Sequence, residues 1–362
     1  MQFPRKLLLT SSVLFLSSAL VFFWGLNAEL VLNYYSNGIY PIIAVCLRWL
    51  SSLSSYALGD ILYAFLIILA LRHIFLLIKN RKSLTRVEWL QVPFKIVNVF
   101  LILYISFKLL WGLNYARPSI STQLAITDEK YGTKELLLLT DFFIAQTNAL
   151  HIKVNPKKTY SLNEIKHQSV LAYQKMEMSN PFYKYTRASF KPVTSGWATS
   201  KIGIEGYYNP LSGEANLNFL LPQWVLPFVA CHEIAHQIGV AREDEANLVG
   251  YLTAVNSDDV SFRYSANYNM LRYLLFEVRI KSPENYALLY QKILPGVIAN
   301  FKAERDFWQK YNSDMSGYMN IAFDKFLKLN NQQNGIKSYQ NIVIWLWNLH
   351  KAELIGERTS RE

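Results

Sequence analysis

Two histidines and a glutamate stand at a spacing that can bind and use a metal ion: the chain reads His-Glu-Ile-Ala-His from His232 to His236. On a helix, residues four apart lie on one face, one turn apart, so both imidazoles can reach one ion. Zinc suits two imidazoles and a carboxylate, and it keeps a fourth position for water. Glu233 would then act as general base on that water and pass the proton to the leaving amine. The motif predicts hydrolysis of a peptide bond through a zinc-bound water that Glu233 activates.

The third ligand is predicted to be Glu243, with Glu245 as the alternative. Both follow Gly239, a residue type that commonly ends a helix. They lie two residues apart, which is about 200° around a helix, so both cannot face one ion. Arg242 occupies the position at which metzincins carry their third histidine, and an arginine cannot bind zinc. The chain is therefore not expected to be a metzincin.

The segment from Glu243 to Asn247 resembles the gluzincin pattern E-x-x-x-D/N. In that resemblance the glutamate binds the metal and the asparagine supports a ligating histidine. Asp244 is expected either at the start of the helix or among the residues that surround the ligands. An oxyanion stabiliser or substrate contact is also needed, and the candidates are Tyr207, Tyr208, Asn216, Asn218 and Arg242.

The part of the chain before the motif is expected to contain the only strands. Residues 191–219 carry four glycines between short apolar stretches, which is typical of strands and turns. Residues 215–219 are expected either as an edge strand that pairs with an extended substrate or as an ordinary internal strand. Helices are expected at residues 133–150 and 163–178. The predicted fold class is mainly α, with a small sheet beside the helix that carries the HExxH motif, residues 232–236.

The first third of the chain is strongly apolar. Helices of about 20 apolar residues span a bilayer, and three are expected, at about residues 7–26, 57–78 and 92–113. A fourth apolar segment, residues 39–50, is too short to cross and is interrupted by Arg48, so an interfacial or re-entrant helix is expected there. The chain is thereby divided into a membrane domain, 1–113, and a second domain, 114–362.

The net charge of +11 belongs mostly to the membrane domain. Residues 1–113 hold ten Lys and Arg against three Asp and Glu. A nucleic-acid-binding protein would concentrate this charge in its globular part, so nucleic acid is not an expected partner. The positive-inside rule keeps Arg5 and Lys6, and the basic cluster between the second and third spans, in the cytoplasm. Three spans then place residues 114–362 outside the cytoplasm.

Several features together resemble the DUF3810 family of bacterial membrane proteins: the three predicted spans, GYYNPLSGEANLN at 206–218, LPF at 226–228, HEIAHQ at 232–237 and AREDEAN at 241–247. The resemblance covers nearly the whole chain, and residues 195–252 are its most specific part. It implies a zincin-like metallopeptidase domain of α+β fold, and a bacterial source. The inner membrane, with the second domain in the periplasm, is then the expected location.

The expected function is that of a membrane-anchored zinc metallopeptidase. Its partners would be a peptide or protein substrate in the cell envelope and membrane lipid. The alternative is a non-catalytic zinc-binding envelope protein with a structural or sensing role. Glu233 argues against this alternative, because a structural site has no need of a general base.

Overall fold

Four long apolar helices come first in the chain. The computed structural model describes residues 4–311, 314–330 and 341–359, and most of them are helical. The mainly α class, with one small sheet, is confirmed. The first helices are α1 (Arg5–Trp24), α2 (Ala28–Ser52), α3 (Leu58–Asn80) and α4 (Arg86–Leu110).

All four helices are long and apolar enough to cross a membrane, as expected of a membrane protein. Helices α1, α3 and α4 correspond to the three predicted spans. Helix α4 begins six residues earlier than predicted because Thr85 and Glu88 form a capping box at its start. It ends earlier too, because the chain continues as a 3-10 turn, Gly112–Ala116.

The prediction for residues 39–50 is wrong in length. Helix α2 has 25 residues and includes a π-helical stretch, Val31–Ile39. The asparagine, serine and glycine residues of that stretch break the apolar run, so the sequence hides the first half of the helix. The buried positions Tyr40, Ala44, Arg48 and Ser51 recur every three or four residues, so one face of α2 packs against the protein.

That face of α2 contacts the second domain. The Ser51 hydroxyl hydrogen-bonds with Ser189 at 2.7 Å, and Arg48 Nε donates to the Thr186 carbonyl at 3.0 Å. At the other end of α2, the ring of Tyr35 packs edge to face with Trp24 of α1. The first half of α2 therefore contacts the end of α1, and its second half contacts the second domain.

The second domain also holds the start of α3. Both carboxylate oxygens of Glu214 accept main-chain N–H bonds, from Leu58 at 3.0 Å and from Gly59 at 2.8 Å. A carboxylate at this position satisfies unpaired N–H groups of the first helical turn and complements the helix dipole. The Ser212 hydroxyl donates to the same carboxylate at 2.7 Å. One fully buried acid thus caps the start of α3 and joins it to the second domain.

The second domain is built from helices around one hydrophobic core, which includes Phe143, Ile234, Leu248 and Leu271. The predicted helices 133–150 and 163–178 agree with α6 and α7 to within one residue. The helices are α5 (Ile120–Gln123), α6 (Thr133–His151), α7 (Leu162–Glu177), α8 (Gly196–Lys201), α9 (Leu226–Gln237), α10 (Glu243–Val255), α11 (Val260–Lys281), α12 (Pro283–Gln291), α13 (Pro295–Tyr311), α14 (Asp314–Leu329) and α15 (Asn341–Thr359).

One three-stranded sheet lies beside α9, with strands β1 (Phe190–Pro192), β2 (Gly206–Asn209) and β3 (Glu214–Leu217). Strand β3 is central, parallel to β1 and antiparallel to β2, with Tyr207 opposite Asn216. The expectation of an edge strand at residues 215–219 is therefore wrong, and the internal-strand alternative is correct. All of β3 is buried, and β2 forms an edge of the sheet.

Candidate metal site

The HExxH motif lies on α9, and a sharp reversal brings α10 back against it. Gly239 follows the end of α9 with a φ of +95°, a left-handed conformation that favours glycine. The two helices then cross closely at Gly250, where a Cβ atom would lie 3.1 Å from the main-chain nitrogen of His232. This close crossing places the first turn of α10 beside the histidines of α9.

Three side chains converge between these helices. The Nε2 atoms of His232 and His236 are 3.1 Å apart. Glu243 Oε2 lies 3.3 Å from Nε2 of His232, and its Oε1 lies 3.6 Å from Nε2 of His236. The structure therefore brings together the two histidines of the motif and the first of the two candidate glutamates.

The donor atoms fit a zinc ion in both type and spacing. Ligand atoms that lie about 2.0–2.1 Å from a tetrahedrally bound zinc ion are about 3.3–3.5 Å from one another. The two Nε2 atoms, 3.1 Å apart, and Glu243 Oε2, 3.3 Å from Nε2 of His232, lie near that spacing, and the other carboxylate oxygen, Oε1, lies 3.6 Å from Nε2 of His236. Two imidazole nitrogens and a carboxylate form the donor set that zinc accepts while a further position stays open to water.

His236 is oriented by its main-chain surroundings. Its Nδ1 donates to the Val240 carbonyl at 2.7 Å, so Nε2 is the ring nitrogen that faces the cluster. Burial lowers the pKa of His232. Burial acts on His236 as well, but the Glu243 carboxylate outweighs it and raises the pKa of His236 to about 9. The two histidines in turn hold the pKa of Glu243 far below its usual range despite burial. The cluster thus attracts positive charge.

Glu233 points from α9 toward strand β2. A Cβ atom on Gly206 would lie 2.9 Å from Glu233 Oε1, so only glycine leaves room for the carboxylate. Glu233 is 3% exposed, and its Oε2 has no hydrogen-bond partner among the residues that the structure describes. Burial raises the pKa of Glu233 to about 8. A carboxyl group that titrates near neutral pH can accept and return a proton.

Glu245 faces away from the histidines. Its Oε1 accepts the main-chain N–H of Ile120 at 3.0 Å and lies 3.5 Å from Nη1 of Arg242. Asp244 accepts a hydrogen bond from Asn341 at 2.7 Å, and burial raises its pKa to about 6. Asp244 is the second residue of α10 and so lies at the helix start, which is one of its two expected positions.

Asn247 lies one turn along α10 from Glu243 and interacts with His232, where it raises the histidine pKa against the effect of burial. Asn247 is also close enough to Tyr273 of α11 to lower the pKa of its hydroxyl. The Tyr273 hydroxyl is close enough to Glu243 for the carboxylate to raise its pKa, although burial is the larger cause. Tyr273 is absent from the sequence-based candidates because it is one of 23 tyrosines and no motif marks it.

The remaining candidates contact residues outside the histidine cluster. Tyr207 donates to Asp60 at the start of α3. The ring of Tyr208 packs 5.2 Å from that of Trp111. The side-chain amide of Asn216 lies 3.4 Å from the Tyr207 carbonyl.

Asn218 lies in the turn after β3. It donates to the Ser200 hydroxyl at 2.8 Å and accepts the main-chain N–H of Leu220 at 3.1 Å.

The membrane-side helices contribute to the site in a way that the sequence does not reveal. Trp111 Nε1 donates to the His236 carbonyl at 3.0 Å, and its ring lies 5.9 Å from the His236 ring. The Tyr40 hydroxyl donates to the Gln237 carbonyl at 2.9 Å, and Arg48 Nη1 donates to the same carbonyl at 2.8 Å. The C-terminal end of the motif helix is therefore held by α2 and by the end of α4.

Comparison with known proteins adds one finding. No curated protein and no solved structure matches the chain. The family model described as "Protein of unknown function (DUF3810)" matches residues 35–347, a range that includes most of α2, the sheet and the whole candidate site. The chain therefore belongs to the DUF3810 family.

Proposed function

We propose that this protein is a membrane-anchored zinc metallopeptidase with a zincin-like active site. The observation that carries the proposal is the convergence of His232, His236 and Glu243, with the buried carboxyl of Glu233 on the same helix. When bound, zinc would polarise the substrate carbonyl and lower the pKa of a water molecule. The substrate class is a peptide or protein of the cell envelope.

The protein's own contribution to the reaction centres on Glu233. Its Oε2 is unpartnered among the described residues and can accept the proton of the attacking water. The same carboxyl then returns that proton to the nitrogen of the leaving amine. Gly206 leaves the space that this carboxyl occupies, and His236 is held in one orientation by the Val240 carbonyl.

A non-catalytic zinc protein is the competing function. A structural zinc site normally has four protein ligands. In the described part of the chain the cluster has three, and the neighbouring acid Glu245 is engaged by Ile120 and Arg242. Three ligands among the described residues, and a buried Glu233 whose Oε2 has no hydrogen-bond partner among them, favour catalysis.

We further propose that α1, α3 and α4 cross the membrane and that α2 lies at its surface. The end of α1 packs in one apolar cluster with Ala241 of the second domain, and the start of α3 and the end of α4 adjoin that domain through Glu214 and His236. The basic clusters lie at their other ends, in residues 5–6 and 79–86. By the positive-inside rule those ends are cytoplasmic, and the second domain is periplasmic. Labelling of single cysteines at positions 83 and 155 in intact cells tests this topology, with only position 155 expected to react from outside.

The peptidase proposal is tested with the full chain in lipid nanodiscs and a peptide library. Glu233→Gln keeps the size of the side chain but removes the base, so zinc content stays at the parent level while cleavage falls by about 10²- to 10⁴-fold. Glu245→Gln is the matched control and retains cleavage, because Gln can still accept the Ile120 N–H. A Glu233→Gln protein that cleaves as fast as the parent would refute the proposal.

A further inference from the structure

We infer that the membrane domain helps to form the metal site. Tyr40 and Arg48 of α2, and Trp111 at the end of α4, are positioning residues that hold the metal-binding end of α9. The inference rests on the metal site proposed above, and it adds residues from outside the second domain. It predicts that the ligands are correctly arranged only when α2 and α4 are docked.

The first step concerns the end of α9. The last four carbonyls of a helix have no partner within the helix. His236 and Gln237 are the final two residues of α9 and both are buried, and the His236 carbonyl accepts the main-chain N–H of Gly239 at 3.0 Å. Trp111 Nε1 reaches the His236 carbonyl at 3.0 Å, and the Tyr40 hydroxyl reaches the Gln237 carbonyl at 2.9 Å. One of these carbonyls belongs to a ligand and the other to the residue that follows it.

The second step concerns charge. Arg48 is 3% exposed and donates to the Gln237 carbonyl at 2.8 Å and to the Thr186 carbonyl at 3.0 Å. Its guanidinium lies over the Tyr185 ring, 5.2 Å from the ring centre. A positive charge at the C-terminal end of a helix is favoured by the helix dipole. Arg48 thus balances the negative end of α9 in a buried place, and it adds a second donor to the Gln237 carbonyl that Tyr40 already binds.

The third step concerns the side chain of Gln237. Its Nε2 donates to the carbonyls of Ser189 and Gly213, at 2.9 and 2.7 Å, and its Oε1 accepts from the Tyr185 hydroxyl at 2.6 Å. The same residue therefore joins the end of α9 to the sheet, while its main chain is held by α2. A shift of α2 would move this junction and the adjacent His236 together.

These contacts matter for metal binding because His236 has little freedom of its own. Its Nδ1 is fixed by Val240, and its ring packs against the ring of Trp111. Ligand groups must be held within about 0.5 Å of the productive geometry. Loosening the last turn of α9 would change the position of Nε2 without removing a ligand.

The test measures metal binding rather than cleavage, so that it does not depend on the proposed reaction. The full chain in nanodiscs is titrated with Co²⁺, and the absorption spectrum of the bound ion reports the geometry of its ligands. The variants are Tyr40→Phe, Trp111→Phe, Arg48→Met and Arg48→Lys. The controls are Tyr34→Phe and Trp49→Phe, whose side chains on α2 are 64% and 48% exposed.

We expect Tyr40→Phe and Trp111→Phe to bind Co²⁺ about tenfold more weakly and with an altered spectrum, the size of effect typical of residues that support a ligand. Arg48→Met should be weaker still, and Arg48→Lys should recover part of the loss, because lysine keeps a donor and a charge. The two control variants should match the parent. Tyr40→Phe removes a single hydroxyl, so the inference remains testable even if Arg48→Met does not fold.

The outcomes separate the inference from the proposed function. The inference is overturned if all four variants bind Co²⁺ with the affinity and spectrum of the parent, namely Tyr40→Phe, Trp111→Phe, Arg48→Lys and Arg48→Met. That result would leave the peptidase proposal intact. Weakened binding in these variants, with no peptide cleaved by the parent, would support the inference and count against the peptidase. Equal losses in the two control variants would also overturn the inference.

Discussion

Helix α10 passes the main chain of His232 so closely at Gly250 that a Cβ atom on Gly250 would lie 3.1 Å from the His232 nitrogen and 3.2 Å from its Cα. Both contacts are with backbone, which cannot rotate away. The approach of α10 to α9, and with it the distance from Glu243 to the histidines, therefore depends on a residue without a side chain.

Replacing Gly250 by alanine should push the two helices apart. We expect Gly250→Ala to lower the free energy of unfolding by about 1–3 kcal/mol, as overpacking in a core does, and to weaken zinc binding. Gly317→Ala is the matched control, since Gly317 lies in α14 with nothing within 4 Å of its would-be Cβ. The control should stabilise the protein by up to about 1 kcal/mol. Chemical denaturation and a zinc competition assay measure both effects, and a Gly250→Ala protein equal to the parent in both would contradict the close crossing.

The docking of α3 on the second domain should depend on Glu214. In Glu214→Gln an amide group would face main-chain N–H groups of α3, so at least one buried donor loses its acceptor. We expect a loss of about 1–3 kcal/mol in the free energy of unfolding. Asp141→Asn, which removes an exposed pair with Lys292, should cost less than about 1 kcal/mol. Equal effects of the two substitutions would show that Glu214 is not a buried cap.

Stability should fall as the pH rises through the range in which Glu205 ionises. Burial raises the pKa of Glu205 to about 7, with Glu304 adding to the rise and Arg272 opposing it. An acid with a raised folded pKa binds its proton more tightly in the folded state, so its contribution is complete below its unfolded value, about 4.3, and is lost by about pH 7.

Glu205→Gln isolates this contribution, because Glu233 and Asp244 also have raised pKa values and titrate in the same direction. The difference between the thermal midpoints at pH 5 and pH 8 should be smaller in Glu205→Gln than in the parent. The same difference in both proteins would show that Glu205 titrates normally.

The sequence predicts the parts of the site that are local. The positions of His232 and His236 follow from the period of one helix, and Gly239 indicates where that helix ends. The sequence leaves Glu243 and Glu245 open, because the choice depends on how α10 crosses α9. Gly250 sets that crossing, because it approaches the main chain of His232 too closely to carry a side chain. No local sequence pattern marks Gly250.

The contribution of the membrane domain to the metal site cannot be predicted from local sequence patterns. Tyr40 and Gln237 are 197 residues apart, and Trp111 and His236 are 125 apart. The first half of α2 is too polar to suggest a long helix, and it is held by contacts such as the Tyr35 hydroxyl on the Leu109 carbonyl at 3.0 Å. The one sequence signal is Arg48, a charge within an apolar run, which indicates a buried partner.

The sheet shows the same limit. Its strands are short, and glycine-rich turns mark their presence but not their order. Only pairing fixes that order, with Phe190 beside Ala215 on one side and Tyr208 beside Ala215 on the other. The strand for which the sequence leaves an edge and an internal position open is therefore the central one.

The central claim, a metal site formed by His232, His236 and Glu243, is tested most directly by zinc content. The full chain, Glu243→Gln and Glu245→Gln are purified in parallel, and zinc per chain is measured by mass spectrometry after removal of loosely bound metal. We expect about one zinc ion per chain in the parent and in Glu245→Gln, and little or none in Glu243→Gln. Parent protein without zinc, or Glu243→Gln with as much zinc as the parent, would contradict the claim.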